Sequence, residues 1–207
     1  MSVAAIEAFY RGNVELIEFL LANEQLSYAS DAADNFRRSL VIAIGSFFEG
    51  EISDIVRQLP FHHANGNAFL TSLIERKAVS RQYHTYFDWE NSSANSFFSM
   101  FGAEYKAACQ RKLNDEPSFK SAVQAFLSLG ATRNQIAHKN YVSFNVDKTP
   151  EDIVKEFRQA LTFVEYVRAS LLPPKQPNSA EQSGYPAGGA QNNAGGSRDS
   201  ESGRISP

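Results

Sequence analysis

Apolar residues recur three and four positions apart along most of the chain up to residue 172, the spacing that gathers side chains on one face of a helix. Val3, Ile6, Phe9 and Tyr10 begin a first stripe, which Val14, Ile17, Leu20 and Leu21 continue past Gly12. A longer stripe of Phe36, Leu40, Ile44, Phe47, Phe48, Ile52, Ile55 and Val56 predicts a second helix that stops near Pro60. Phe69, Leu73 and Ile74 mark a short third helix, and the polar-aromatic stretch from Ser80 to Ser96 reads as a long loop. Phe97, Met100, Phe101 and Tyr105 open a fourth helix, which Pro117 interrupts. Phe119, Val123, Phe126, Leu127, Gly130 and Ile136 make a fifth. The run from Tyr141 to Val146 alternates like a short strand or an extended loop. Thr149-Pro150-Glu151-Asp152 then announces a last helix with a Thr cap, Pro at the first helical position and acids in the first turn. Ile153, Val154, Phe157, Leu161, Val164 and Leu171 line it. About six helices without a competing set of strands predict an all-α antiparallel helical bundle.

The pattern breaks at Pro173-Pro174. From there Gly, Ser, Asn, Gln and Pro dominate, and too few large apolar residues remain to offset the entropy of ordering the segment. Residues 1–172 are therefore read as one helical domain and 173–207 as a disordered low-complexity tail. The whole chain has 43% hydrophobic and 21% charged residues, an ordinary globular balance. Its sixteen Phe and eight Tyr promise an aromatic core and an apolar partner surface. A net charge of −3 provides no general field for nucleic acid, so any contact with RNA must use a local cluster. The one cysteine, Cys109, excludes an intrachain disulfide and fits a reducing compartment. The amino terminus lacks the basic and apolar order of a secretory signal, and the longest apolar run, Leu40 to Ile44, is too short to span a bilayer. The expectation is a soluble, cytoplasmic protein.

The segment richest in chemistry is Thr132-Arg133-Asn134-Gln135-Ile136-Ala137-His138-Lys139-Asn140, late in the fifth predicted helix. Arg, four residues and His, with Asn directly after the Arg, resembles the signature of HEPN-superfamily ribonucleases. Phe36-Arg37-Arg38-Ser39-Leu40-Val41 through Phe48-Glu49 resembles the second helix of the RiboL-PSP-type HEPN group. Asn95-Ser96-Phe97-Phe98-Ser99-Met100-Phe101-Gly102 resembles its aromatic-glycine segment, and the long capped helix after the His falls where that group has its last helix. The resemblance spans roughly residues 30–172. It implies an endoribonuclease acting on single-stranded or looped RNA in a toxin or phage-defence setting. It also implies 2′,3′-cyclic phosphate products, no cofactor or metal, and two copies of the motif across a dimer interface.

The residues support this chemistry in their own right. Asn134 and His138 are four apart and share a helix face, and the long side chain of Arg133 can swing to a common point. An imidazole titrates near ~6.5 and suits proton transfer at cellular pH. A guanidinium grips phosphate with oriented donors and stabilises charge as it develops. RNA brings its own nucleophile, the 2′-hydroxyl. Arg133 and His138 are thus the candidate catalytic pair, with Asn134 in support, Lys139 and Tyr141 as candidate substrate contacts, and Glu49 as a candidate buried partner for Arg133. Internal cleavage removes one proton and delivers another. With no other His convincingly placed beside the motif, a homodimer sharing His138 and Arg133 across a two-fold axis is expected. An antitoxin or other operon partner is a further expected contact.

Other features admit plainer readings. Arg57 and His62 repeat the motif spacing, but Pro60 should end the helix between them. His62-His63 lacks neighbours at zinc spacing and reads as a loop. His84 lies among Tyr83, Tyr86, Phe87 and Trp89, a cluster able to stack bases but better read as a loop folded onto the bundle. Arg37, Arg38, Arg76, Lys77 and Arg81 line an RNA groove or scatter over exposed faces. Cys109 reads as packing. The rival to a nuclease is a catalytically silent helical dimer that binds RNA, a nucleotide or a partner protein through the same face. A purely structural subunit would make no use of Arg133 or His138.

Overall fold

The computed structural model describes residues 1–139, 141–142 and 144–174. Asn140 and Ser143 lie outside the described residues, as do residues 175–207 of the expected tail. Among the described residues the chain is all-α. It forms α1 (Val3–Ala22), α2 (Leu26–His63), α3 (Ala68–Ile74), a π-helical segment (Glu75–Val79), α4 (Tyr83–Tyr86), α5 (Asn95–Ser99), α6 (Ala103–Asp115), α7 (Pro117–His138) and α8 (Pro150–Leu171). The described residues of the alternating run after the motif form no strand. Tyr141 and Val142 sit in a turn and Phe144 to Asp147 in irregular backbone.

Helix ends follow local chemistry. The Ser2 hydroxyl accepts from the Ala5 N–H at 3.2 Å to start α1. Thr149 and Asp152 form a reciprocal capping box at α8, with Pro150 just inside it. Pro117 separates α6 from α7 as expected, and it is itself the first residue of α7, where its missing N–H costs nothing. Gly102, at φ +96°, divides the expected fourth helix into α5 and α6, a conformation that favours glycine.

The second helix is longer than its apolar stripe at both ends. Its first turns, from Leu26 to Asn35, bury only Ala29, so no stripe announces them, although Ala29, Ala32 and Ala33 favour helix. Pro60 is buried and the helix passes through it to His63. The disruption stays local, because only three residues follow. The Pro60 carbonyl then accepts from Ala64 and Gly66 at 3.0 and 2.9 Å, closing the end.

Four helices make an up-and-down bundle. Phe9 and Tyr10 of α1 pack on Phe36 of α2. Gly45 of α2 lies against Arg133 of α7 while Phe48 meets Phe126, an antiparallel order. Phe119 and Phe126 of α7 meet Tyr166 and Phe163 of α8, again antiparallel. Tyr10 and Glu7 of α1 reach Glu151 and Arg158 of α8 to complete the ring. The diagonal pair α2 and α8 run parallel, with Phe48 against Phe157 and Glu51 paired with Arg168. Fully buried Phe48, Phe97, Phe98, Phe119, Phe126, Phe157 and Phe163 fill the centre. Each contributes roughly 1.5–3 kcal/mol of burial. Edge-to-face pairs such as Phe126–Phe163, with centroids 4.9 Å apart, add specificity to that packing.

Candidate functional site

The end of α7 carries the motif. Its inward face holds Phe119, Val123, Phe126, Leu127, Gly130 and Ile136, all buried, which turns Arg133, Asn134 and His138 toward the surface. Arg133 lies across α2 directly over Gly45. A Cβ at position 45 would fall 2.6 Å from Arg133 Cγ and 3.0 Å from its Cβ, so glycine makes the crossing possible. One helical turn on, Glu49 Oε2 accepts from Arg133 Nη2 at 3.1 Å. Arg133 Nη1 donates to Asn134 Oδ1 at 3.2 Å. Glu49 is therefore the partner of Arg133, but not a buried one: the side chains are 43% and 31% exposed. Below the pair lies the buried Tyr83. Burial pushes its phenol well above the usual tyrosine range, and Glu49 adds to that rise while Arg133 opposes it.

Arg133, Asn134 and His138 open onto a cavity of about 790 Å³, lined by two stretches of chain. One runs from Ala131 along the end of α7 to Lys139 just beyond it, the other between His84 and Glu90. The second stretch belongs to the expected loop, which is folded onto the bundle as anticipated and carries the short α4. Trp89 keys it to α7. A Cβ on Gly130 would lie on the indole, within 2.7 Å of Cη2, so the ring rests against bare backbone. The Trp89 Nε1–H donates to the His84 carbonyl at 3.0 Å, and Phe87 packs on Phe126 with centroids 4.9 Å apart. Asp88 closes the turn, accepting from the Asn91 backbone N–H at 3.0 Å and from its amide at 2.9 Å. These bonds hold its carboxyl below the usual range.

His138 is exposed at the last residue of α7. Lys139 also lines the cavity, with its ammonium 5.5 Å from the Phe144 ring centroid. Tyr141 is tied elsewhere: its hydroxyl shares a 3.0 Å hydrogen bond with Ser39 Oγ, and the Arg38 guanidinium sits 5.4 Å above its ring. The basic residues do not form a groove at this cavity. Arg37 pairs with Asp34, Arg38 donates to the Phe144 carbonyl at 3.2 Å, and Arg76, Lys77 and Arg81 are exposed away from its lining.

The second Arg–His spacing needs a different explanation from the one the sequence suggests, since Pro60 does not end the helix. Arg57 is held by Glu75 at 3.0 Å, with Asp54 also near, and neither it nor His62 lines the cavity. His62 and His63 form the last turn of α2 rather than a loop, their rings 4.7 Å apart, with His63 Nε2 at 2.6 Å from the Leu171 carbonyl. Among the described residues no cluster of three or more His, Cys, Asp and Glu is placed to hold a metal ion. Cys109 is buried at 3.9 Å from the Tyr166 hydroxyl, and burial pushes its thiol up, consistent with a packing role.

Four contributors to the site are invisible in the motif: Gly45, Gly130, Trp89 and His84. Glycines inside helical stripes were the available signal for the first two, because such positions mark close approach of another chain segment. Nothing in residue spacing announced that His84 would share a cavity with His138, and the expectation that no other His lies near the motif is corrected here.

Arg133, Asn134 and His138 thus sit together at one end of a helical bundle and open onto a cavity. The sequence model of the RiboL-PSP-HEPN family matches residues 7–172, and the chain belongs to that family. The match takes in most of α1, extending the region of resemblance toward the amino terminus. No curated protein and no solved structure matches the chain. No described helix is long and apolar enough to cross a membrane.

Proposed function

We propose that the protein is a metal-independent endoribonuclease that cleaves single-stranded or looped RNA by attack of the 2′-hydroxyl. The observation that carries this is the convergence of Arg133, Asn134 and His138 on one cavity large enough for a nucleotide. Arg133 is oriented by Gly45 and Glu49, and its remaining N–H donors are the groups that would bind a phosphate. His138 removes the 2′-hydroxyl proton, Arg133 stabilises the charge building on the phosphoryl oxygens, and Asn134 holds Arg133 or a phosphate oxygen. Lys139 contacts the backbone of the substrate, while Tyr141 acts indirectly by anchoring the segment after the motif to α2. The proposed setting is a toxin or phage-defence system, with an antitoxin or operon partner, as the resemblance to HEPN ribonucleases implies.

The test is cleavage by the purified chain against its variants. Arg133→Ala and His138→Ala abolish cleavage with the helical circular-dichroism spectrum intact, and Asn134→Ala weakens it less. Full activity in His138→Ala contradicts the mechanism.

The proposed assembly is a cytoplasmic homodimer. Its support is a run of exposed apolar residues on α1 and the start of α2, with Leu16, Phe19, Leu26 and Tyr28 each half or more uncovered or nearly so. Light scattering should return twice the chain mass of 23.0 kDa. The tail boundary after Leu172 is part of the same proposal. The non-catalytic binding module is favoured by one observation, the Glu49 carboxylate that competes with phosphate for Arg133. Tight RNA binding without cleavage would select it.

A further inference from the structure

We propose that His84 is a second proton-transfer residue of this cavity, the general acid that protonates the departing 5′-oxygen while His138 takes the 2′-hydroxyl proton. The inference rests on the ribonuclease reading above and completes its proton balance within one chain.

In an in-line displacement the attacking and leaving oxygens lie on opposite sides of phosphorus, so base and acid must approach from different directions. The cavity has two walls, and each carries one histidine: His138 on α7 and His84 on the folded loop. Arg133 lines the same space. A volume of about 790 Å³ falls in the ~300–1,000 Å³ range of pockets that enclose a small ligand. One nucleotide can therefore span from wall to wall.

His84 is held without being used up. Its backbone carbonyl accepts the Trp89 indole N–H at 3.0 Å, and Trp89 is seated on Gly130, three residues before Arg133. The position of His84 is thereby registered to the motif, while its imidazole remains exposed. Asp88, on the same wall, is occupied by Asn91, whose hydrogen bonds hold its carboxyl below the usual range and make it a poor acid.

The step balances. The 2′-hydroxyl proton passes to neutral His138 as the 2′-oxygen bonds to phosphorus. The bond from phosphorus to the 5′-oxygen breaks, and that oxygen takes its proton from His84 in the imidazolium form. The products are a 2′,3′-cyclic phosphate and a 5′-hydroxyl, with His138 charged and His84 neutral until exchange with water resets both.

The experiment uses a short RNA with one scissile linkage, made with either oxygen or sulfur at the bridging 5′ position. A thiolate leaves without needing a proton. His84→Ala and His84→Gln are expected to slow the oxygen substrate by ~10²–10⁴-fold and to cleave the sulfur substrate near the wild-type rate. His138→Ala stays slow on both. Circular dichroism and melting of the full-length variants establish that they are folded. Wild-type activity of folded His84 variants on the oxygen substrate overturns the assignment, as does equal loss on both substrates. If wild type cleaves neither substrate, the ribonuclease reading falls and this one with it, whereas loss confined to the pairing leaves that reading standing.

Discussion

Arg133 crosses α2 over Gly45, with the place a Cβ would occupy 2.6 Å from the arginine Cγ. The glycine thus sets the path of the side chain, and Glu49, one turn further along α2, receives its end. In a helix interior Gly→Ala ordinarily gains ~0.8–1.0 kcal/mol. At position 45 the added methyl must displace Arg133. Gly45→Ala should therefore melt within a few degrees of wild type and yet lose most RNA cleavage. Wild-type cleavage by Gly45→Ala would show that the path of Arg133 over α2 is immaterial.

The same ion pair separates stability from activity in another way. Its partners are 31% and 43% exposed, which limits its contribution to stability to ~0–1 kcal/mol. Glu49→Ala should leave the melting temperature almost unchanged while lowering kcat/KM, because Arg133 loses its orientation. A large fall in melting temperature would place Glu49 in the stability of the bundle instead.

Gly130→Ala is expected to act on the fold itself. The methyl would occupy the space of the Trp89 ring, and overpacking of this kind costs ~1–3 kcal/mol. For a domain of this size that corresponds to a fall of about 2–4 °C per kcal/mol. Tryptophan fluorescence reports the cause directly, since Trp89 is the single Trp of the chain. An unchanged emission spectrum would mean that the indole does not rest on α7.

The carboxy-terminal boundary is tested by truncation. The core closes with Leu171, which is buried, and Leu172, which packs against it. Removing residues 173–207 should leave the melting temperature nearly unchanged. A large drop would mean that the removed segment docks on the core.

Much of this architecture is written in periodicity. The stripes of α7 and α8 coincide with buried faces, whereas that of α1 buries only Ile6, and Thr149-Pro150 with Asp152 supplies the cap that starts α8. The motif was legible because it lies at a helix end, where Asn134 and His138 share a face. What stayed hidden depends on contacts distant in sequence. The start of α2 has no stripe, since its first turns bury only Ala29, and Pro60 is tolerated because it sits one turn from the helix end. Gly102 separates α5 from α6 through a backbone angle that composition does not reveal. The loop bearing His84 is positioned by Trp89 on Gly130, a pairing across 41 positions that no local pattern encodes.

The central claim is tested most directly by the ends of RNA cleaved in excess EDTA. The charge-stabilising role falls to Arg133 and the proton to His138, so wild-type protein should cut RNA under these conditions and leave 2′,3′-cyclic phosphate ends, while His138→Ala should leave the RNA intact. Strict dependence on added magnesium or manganese, or products ending in a 3′-hydroxyl, would contradict the account.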